Sequence, residues 1–148
     1  MKALKAGKHV VLEKPVALSA SEFQEMLNVA YAQRKMILDG TMFPHHPRTS
    51  KILKATADQE NLGLINRIEC SFTFLADDAF EDSNIRARAD GDPQGCIGDL
   101  GWYCIRLGQL VYGKLGLHVK SAQVVDFALS KHGVPLDATC LVRFEGVS

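Results

Sequence analysis

The sequence predicts an α/β chain in which a parallel strand, helix, strand unit precedes a partial α+β domain with a mostly antiparallel, open-faced sheet. An apolar run at residues 8–13 is typical of a strand buried on both faces of a parallel sheet. A capped amphipathic helix follows, and from residue 67 the apolar spacing changes from helical to strictly alternating. This change of period predicts two domains, residues 1–42 and 43–148.

The first domain is predicted to contain one βαβ unit. Ser19 and Glu22 form a capping box, which predicts a helix over about residues 20–34. A single apolar face is predicted for this helix from residues at helical spacing: Phe23, Met26, Leu27, Ala30 and Tyr31. Residues 35–42 are predicted to form the next strand, and Met1–Lys5 to lead directly into the first one.

The second domain is predicted to begin with a helix, because Pro47 suits a first helical turn. Apolar and polar residues alternate over 67–74, which predicts a half-buried antiparallel strand. Residues 76–95 show no period, and a loop of this length is more often functional than idle. A helix over about 98–112 and strands near 118–129 and 137–145 complete the prediction.

The composition limits the class of partner. The chain has 17 basic and 17 acidic residues among 148, so no net field recruits nucleic acid or a charged membrane surface. No apolar run reaches the roughly 20 residues that cross a bilayer. The four cysteines form no CxxC pair, so a zinc site or disulfide framework is not predicted. A cytoplasmic protein with a small-molecule substrate is expected, although a targeting segment before Met1 would escape this reasoning.

Residues 7–15 carry the most specific motif, Gly-Lys-His-Val-Val-Leu-Glu-Lys-Pro. A lysine at the carboxyl end of a parallel strand lies where ligands bind in open α/β sheets; the alternative is a solvated loop lysine. The segment resembles the Glu-Lys-Pro motif of the Gfo/Idh/MocA family of NAD(P)-dependent oxidoreductases. The resemblance implies that Glu13, Lys14 and Pro15 contact the cofactor and that Lys14 is also catalytic.

A second match joins Asn84-Ile85-Arg86 to residues 95–105, Gly-Cys-Ile-Gly-Asp-Leu-Gly-Trp-Tyr-Cys-Ile. Spacing of four predicts Asp99 and Tyr103 on one helical face. The segment resembles the tyrosine-type branch of the family, which includes dihydrodiol dehydrogenase, xylose dehydrogenase and glucose–fructose oxidoreductase. The resemblance implies that Tyr103 is the acid/base and that Asp99 and Trp102 bind substrate. The alternative is that Trp102 and Tyr103 are core residues of an amphipathic helix.

Residues 41–47, Thr-Met-Phe-Pro-His-His-Pro, resemble the segment that joins the two family domains, with Pro44 where many relatives carry an arginine. His46 is a candidate substrate-binding residue, with interdomain packing as the alternative. His45 and His46 are adjacent and are predicted to point apart, so a metal site is not expected.

The resemblance implies a dehydrogenase that uses NADP or NAD, acts on a sugar, polyol or diol hydroxyl, and forms a homo-oligomer. No G-x-G-x-x-G occurs in the chain, and in the family that loop precedes the Glu-Lys-Pro motif by some eighty residues. The chain is therefore interpreted as a fragment holding the carboxyl-terminal remnant of a Rossmann-type sheet, with the isolated chain inactive. The alternative is a non-catalytic truncated product, or an incomplete gene model, that keeps a self-association sheet surface.

Overall fold

The computed structural model describes residues 1–146, so the last two residues of the predicted second domain lie outside this range. The chain divides into two compact units, Met1–Thr41 and a second that begins at Met42. Among the described residues, no helix combines the length and the apolar character needed to cross a bilayer.

The first unit is a minimal parallel βαβ unit. Its elements are α1 (Lys2–Lys5), β1 (Val10–Leu12), α2 (Ala20–Ala32) and β2 (Ile37–Asp39). The two strands run parallel, with Val10 opposite Ile37 and Leu12 opposite Asp39. The predicted direct entry from Met1 into a strand is wrong, because α1 places Leu4 in the core, where only 1% of it is exposed.

The helix α2 begins as the capping box predicts. The Ser19 hydroxyl accepts the Glu22 amide at 3.2 Å, and the Glu22 carboxylate accepts the Leu18 amide at 3.0 Å. Only part of the predicted apolar face is buried: Met26 and Ala30 pack on Leu4, whereas Tyr31 is 88% exposed. Only one short helix and two three-residue strands pack against α2 in its own unit. The buried stripe of α2 is therefore narrower than the apolar face predicted from the sequence.

The second unit contains four helices and one β-hairpin within the described residues. The elements are α3 (Pro47–Ala57), α4 (Gln59–Leu62), α5 (Phe80–Ser83), α6 (Trp102–Lys114), β3 (Val119–Leu129) and β4 (Pro135–Phe144). Short 3₁₀ turns occupy Phe43–His45 and Ile85–Ala87, and a π-helical segment, Ile97–Gly101, leads into α6. The hairpin strands pair antiparallel, with Phe127 opposite Ala138.

The core of this unit lies where α6 meets β4. Val111, Tyr112 and Phe144 are buried, and the Tyr112 and Phe144 ring centroids are 4.5 Å apart. Gly108 faces the Phe144 ring, which an added Cβ would approach to 3.8 Å. That distance is an ordinary van der Waals contact, so α6 at Gly108 lies directly against the Phe144 ring.

The strand predicted over residues 67–74 is not formed. The segment carries no strand assignment, and Phe72 and Phe74 are 49% and 52% exposed. The alternating pattern is present in the sequence, but a strand also requires a neighbouring backbone to bond, and residues 67–74 pair with no strand within residues 1–146. The predicted aperiodic loop at 76–95 likewise contains the one-turn helix α5 and a 3₁₀ turn.

Ser130 joins the hairpin turn to the loop that precedes the π-helical segment. Its hydroxyl donates to the Ala87 carbonyl at 3.0 Å and accepts the amides of His132 and Val134, each at 3.1 Å. Ser130 is 6% exposed, so water does not readily replace these partners.

We expect Ser130→Ala to lower the free energy of unfolding by about 1 to 3 kcal/mol, because it leaves buried backbone groups without partners. Urea unfolding followed by circular dichroism measures this loss. Ser83→Ala is the matched control, since the Ser83 hydroxyl donates to the Ala79 carbonyl at 2.9 Å in an exposed helix. The control should change stability by no more than about 0.5 kcal/mol; equal losses in both variants would contradict the role of Ser130.

Candidate functional site

The first group of predicted site residues lies at the carboxyl end of β1. Glu13, Lys14 and Pro15 follow Leu12 directly, and the Lys14–Pro15 peptide bond is cis. Lys14 is only partly exposed and has interaction partners, so it is not a fully solvated loop lysine. The carboxyl ends of parallel strands are where open α/β sheets bind ligands.

The carboxyl end of β2 lies beside this turn and is closely packed against it. The Gly40 amide donates to the Leu12 carbonyl at 2.8 Å, and an added Cβ at Gly40 would meet that oxygen at 3.1 Å. The Asp39 carboxylate accepts the amide and hydroxyl of Thr41 at 2.9 and 2.6 Å. Thr41 is 1% exposed, so water does not readily replace its hydrogen bonds to Asp39. These bonds fix the chain at the carboxyl end of β2.

The second group lies where the π-helical segment joins α6. The Asp99 carboxylate forms an ion pair with Arg86, whose Nε lies 2.7 Å from Oδ2, and the Asp99 side chain is 13% exposed. The Asn84 side chain accepts the Arg86 amide at 3.0 Å and so fixes the turn that carries the arginine. A carboxylate held in this way is a rigid hydrogen-bond acceptor at the border of the cleft that it lines.

Tyr103 stands one residue into α6, in an aromatic environment. Its ring centroid is 6.2 Å from that of Phe43 and 5.7 Å from that of Phe72, and its hydroxyl donates to the Met42 sulfur at 3.7 Å. A thioether is a weak acceptor, so this contact leaves the hydroxyl able to exchange it for a stronger partner. Trp102, the neighbouring candidate, is partly buried.

The π-helical segment changes the geometry that the spacing of four predicts. Asp99 lies inside Ile97–Gly101, where the backbone makes wider turns than an α-helix, and Tyr103 lies in the α-helix that follows. Arg86 pairs with Asp99, and Met42, Phe43 and Phe72 lie against Tyr103. Such π segments within helices occur frequently at functional sites.

His46 has a local structural role. It is exposed, and its Nδ1 accepts the Arg48 amide at 3.1 Å, which caps the amino end of α3. A substrate-binding role for His46 stays a prediction, and the cap accounts for a histidine at this position without one.

Arg86 is the site residue that sequence reasoning missed. Its motif, Asn84-Ile85-Arg86, is visible in the sequence, but Arg86 is thirteen positions before Asp99 in an aperiodic loop. No periodicity links two residues across such a loop. The available signal was an arginine in the loop that leads to a helix whose first turn carries an aspartate.

Comparisons with known proteins show which family the chain resembles. The family model described as an oxidoreductase family with an NAD-binding Rossmann fold, Gfo/Idh/MocA, matches residues 1–41. The dTDP-3,4-didehydro-2,6-dideoxy-alpha-D-glucose 3-reductase of Streptomyces violaceoruber is 32% identical over 112 residues. The chain is therefore similar to the Gfo/Idh/MocA family. The match to this reductase covers 76% of the chain and 31% of the reductase, so the chain spans about a third of that relative's length.

Two further similar proteins match nearly the whole chain. The NADP(+)-dependent scyllo-inositol 2-dehydrogenase IolU of Bacillus subtilis is 25% identical over 143 residues, covering 95% of the chain and 41% of the dehydrogenase. A solved inositol dehydrogenase homolog from Azotobacter vinelandii, complexed with NADH and myo-inositol, superposes with a TM-score of 0.79 at 24% identity. That superposition covers 99% of the chain and 38% of the solved structure, and it confirms the α/β fold class.

Proposed function

We propose that this chain supplies the nicotinamide-side and substrate-binding residues of an NAD(P)-dependent oxidoreductase acting on a sugar, polyol or diol hydroxyl. The observation that carries the proposal is the Glu13-Lys14-Pro15 turn at the carboxyl edge of the parallel strands. The matched family, a reductase of a dTDP sugar and an inositol dehydrogenase among the relatives support the same class of reaction.

The residues present fit one end of a nicotinamide dinucleotide. Glu13, Lys14 and Pro15 follow the carboxyl end of β1, the edge at which open α/β sheets bind ligands. At this edge the backbone of Gly40 lies close to the Leu12 carbonyl. The pyrophosphate end requires a glycine-rich turn at a helix amino terminus, and the sequence contains no G-x-G-x-x-G. The chain therefore provides contacts for the nicotinamide end only, and NAD and NADP remain equal candidates.

When bound, the cofactor exchanges a hydride with the substrate carbon, and the protein groups orient and polarise. We assign to Tyr103 the transfer of the hydroxyl proton, since a phenol can donate and accept a proton and this one already donates to the Met42 sulfur, a weak acceptor. Lys14 stabilises negative charge on the reacting oxygen. Asp99, fixed by Arg86, accepts a hydrogen bond from a substrate hydroxyl, with Trp102 and His46 as further candidate contacts.

We expect residues 1–148 alone to bind NAD(P)H very weakly, because the backbone amides that hold the pyrophosphate are not among them. Isothermal titration calorimetry with NADH and NADPH measures this. Micromolar affinity for the 148-residue chain would contradict the prediction.

A chimera tests the activity itself. Residues 1–148 replace the matching segment of the Azotobacter vinelandii homolog, which restores a glycine-rich loop and leaves the candidate residues of this chain in place. We expect NAD(P)-dependent oxidation of at least one inositol, aldose or vicinal diol, read as reduced nicotinamide absorbance. A folded chimera that binds NADH but turns over none of these compounds would contradict the proposed function.

A further inference from the structure

The hairpin turn between β3 and β4 is attached to the loop that carries Arg86. The Ser130 hydroxyl donates to the carbonyl of Ala87, the residue after Arg86, at 3.0 Å. The Lys131 amide donates to the Glu81 carboxylate, before Arg86 in sequence, at 2.8 Å. These two contacts join residues 43 and 50 positions apart. The turn therefore holds the loop on both sides of the arginine.

The Ser130 hydroxyl uses all of its hydrogen-bonding capacity in one arrangement. A hydroxyl offers one proton and two lone pairs. The amides of His132 and Val134 donate to this oxygen, each at 3.1 Å, and so occupy both lone pairs. The proton is therefore directed to the Ala87 carbonyl, and at 6% exposure of Ser130 water does not readily replace that acceptor.

The Ala87 end of this bond is also buried. Ala87 is 0% exposed and ends the 3₁₀ turn that begins at Ile85. At the start of the same turn, the backbone of Gly91 lies so close that an added Cβ would meet the Ile85 carbonyl oxygen at 2.7 Å. The 3₁₀ turn is thus held at its start by Gly91 and at its end by Ser130.

Arg86 occupies the middle of this turn, and its side chain contacts the candidate carboxylate. Adjacent Cα atoms are about 3.8 Å apart, so the Arg86 backbone can move little while Ala87 is held. The Arg86 Nε lies 2.7 Å from the Asp99 Oδ2, although 47% of the arginine side chain is exposed. Holding a half-exposed arginine in one arrangement costs side-chain entropy, and a backbone that is already fixed lowers that cost.

We propose that Ser130 is a positioning residue of the candidate site: its bond to Ala87 holds Arg86 where the guanidinium fixes the Asp99 carboxylate for a substrate hydroxyl. The substrate part of this inference rests on the proposed function, whereas the link from Ser130 to the ion pair does not. The hairpin turn carries none of the candidate site residues, and it thereby helps to orient the substrate.

The Arg86 Nε–H resonance in ¹⁵N–¹H correlation spectra of the 148-residue chain tests the link to the ion pair. An Nε–H that donates to a carboxylate is in a different electrostatic environment from that of a hydrated arginine. Arg86→Lys identifies the resonance by its absence. We expect Ser130→Ala to move this resonance toward the position of hydrated arginine, because the turn that holds Arg86 is released.

Ser83→Ala is the matched control for the resonance. Ser83 lies three residues before Arg86, and its hydroxyl donates to the Ala79 carbonyl at 2.9 Å within α5. We expect this variant to leave the Arg86 resonance in place. A folded Ser130→Ala chain with an unmoved Arg86 resonance would overturn the proposal, and so would an equal displacement in Ser83→Ala.

Ser130→Cys is the second variant, and it decides the result if Ser130→Ala does not fold. The thiol fills most of the same space but is a weaker donor and acceptor than the hydroxyl. We expect the Arg86 resonance to be displaced in this variant as well. An Arg86 resonance that stays in place in Ser130→Cys would contradict the positioning role.

Kinetics in the chimera test the substrate part of the inference. We expect Ser130→Ala to raise KM about three- to tenfold with kcat within about twofold, because it weakens a hydrogen bond made equally in the ground and transition states. Asp99→Asn should raise KM at least as much. Adding Ser130→Ala to Asp99→Asn should raise KM no further, because Ser130 acts through Asp99.

The kinetic outcomes separate this proposal from the proposed function. A full additional rise of KM in the double variant would overturn the positioning role, and so would a fall in kcat at unchanged KM in Ser130→Ala. An Asp99→Asn chimera with unaltered KM would instead contradict the substrate role of Asp99 in the proposed function, whatever the Arg86 resonance shows.

Discussion

Tyr103→Phe and Lys14→Met, made in the chimera, should each lower kcat by about 10² or more, and the double variant should be little worse than the poorer single. The phenol and the ammonium are proposed to serve one proton transfer, so losing either removes most of the benefit of the other. Tyr103→Phe keeps the ring that packs near Phe43 and Phe72 and deletes only the hydroxyl. Steady-state kinetics of the four proteins measure the coupling.

Tyr31→Phe is the matched control for this series, because Tyr31 is 88% exposed on α2 and no role in the reaction is proposed for it. It should leave kcat unchanged. Near-normal turnover in Tyr103→Phe would assign Tyr103 to the aromatic packing alone. Independent, additive losses at Tyr103 and Lys14 would show that the two groups act in separate steps.

Gly95→Ala should destabilise the second unit strongly, by about 2 to 4 kcal/mol, because two costs add at this position. Gly95 has φ +49°, in the left-handed region that L side chains disfavour. A Cβ there would also lie 2.2 Å from the Pro135 carbonyl oxygen and 2.6 Å from the Val134 side chain, so backbone must move. The free energy of unfolding from urea titration gives the total cost.

Gly133→Ala separates the two costs. Gly133 has φ +77°, and nothing lies within 4 Å of an added Cβ, so this variant should lose only the conformational part, about 1 to 2 kcal/mol. The difference between the two variants then measures the clash at the start of β4. Equal losses would show that the loop carrying Gly95 moves away from Pro135 without cost.

Much of the architecture was predictable because its signals are local. Ser19 and Glu22 mark the start of α2, because their side chains accept hydrogen bonds from backbone amides within one helical turn. Pro47 marks the first turn of α3, and the strands predicted near 118–129 and 137–145 form a paired hairpin. In each case the residues that determine the structure are neighbours in sequence.

Features that depend on distant partners were not predictable. The alternation over 67–74 matches that of a strand, but strand formation depends on a neighbouring backbone that the pattern cannot report. The ion pair of Arg86 with Asp99 joins a loop to a helix, and no spacing rule reaches across it. The π-helical segment was also missed, since Gly98 and Gly101 are compatible with an α-helix start, a loop or a wider turn.

The candidate site residues divide in the same way. Lys14 was placed by a strand end and a family motif, both readable in the sequence, and the structure puts it at the carboxyl end of β1. The weak thioether partner of the Tyr103 hydroxyl came only from the fold, because Met42 is sixty-one positions away. Whether these residues serve one reaction is a matter for the kinetic test.

The π-helical segment gives this helix a way to tolerate change in length. A π-helical turn holds one residue more than an α-helical turn within a continuous helix. Inserting or deleting that residue rotates the residues before the turn, whereas α6 keeps its packing against β4. Asp99 is within that turn, whereas Val111 and Tyr112 lie beyond it in the core. A residue gained or lost in this turn would therefore redirect the Asp99 carboxylate without repacking the core of the second unit.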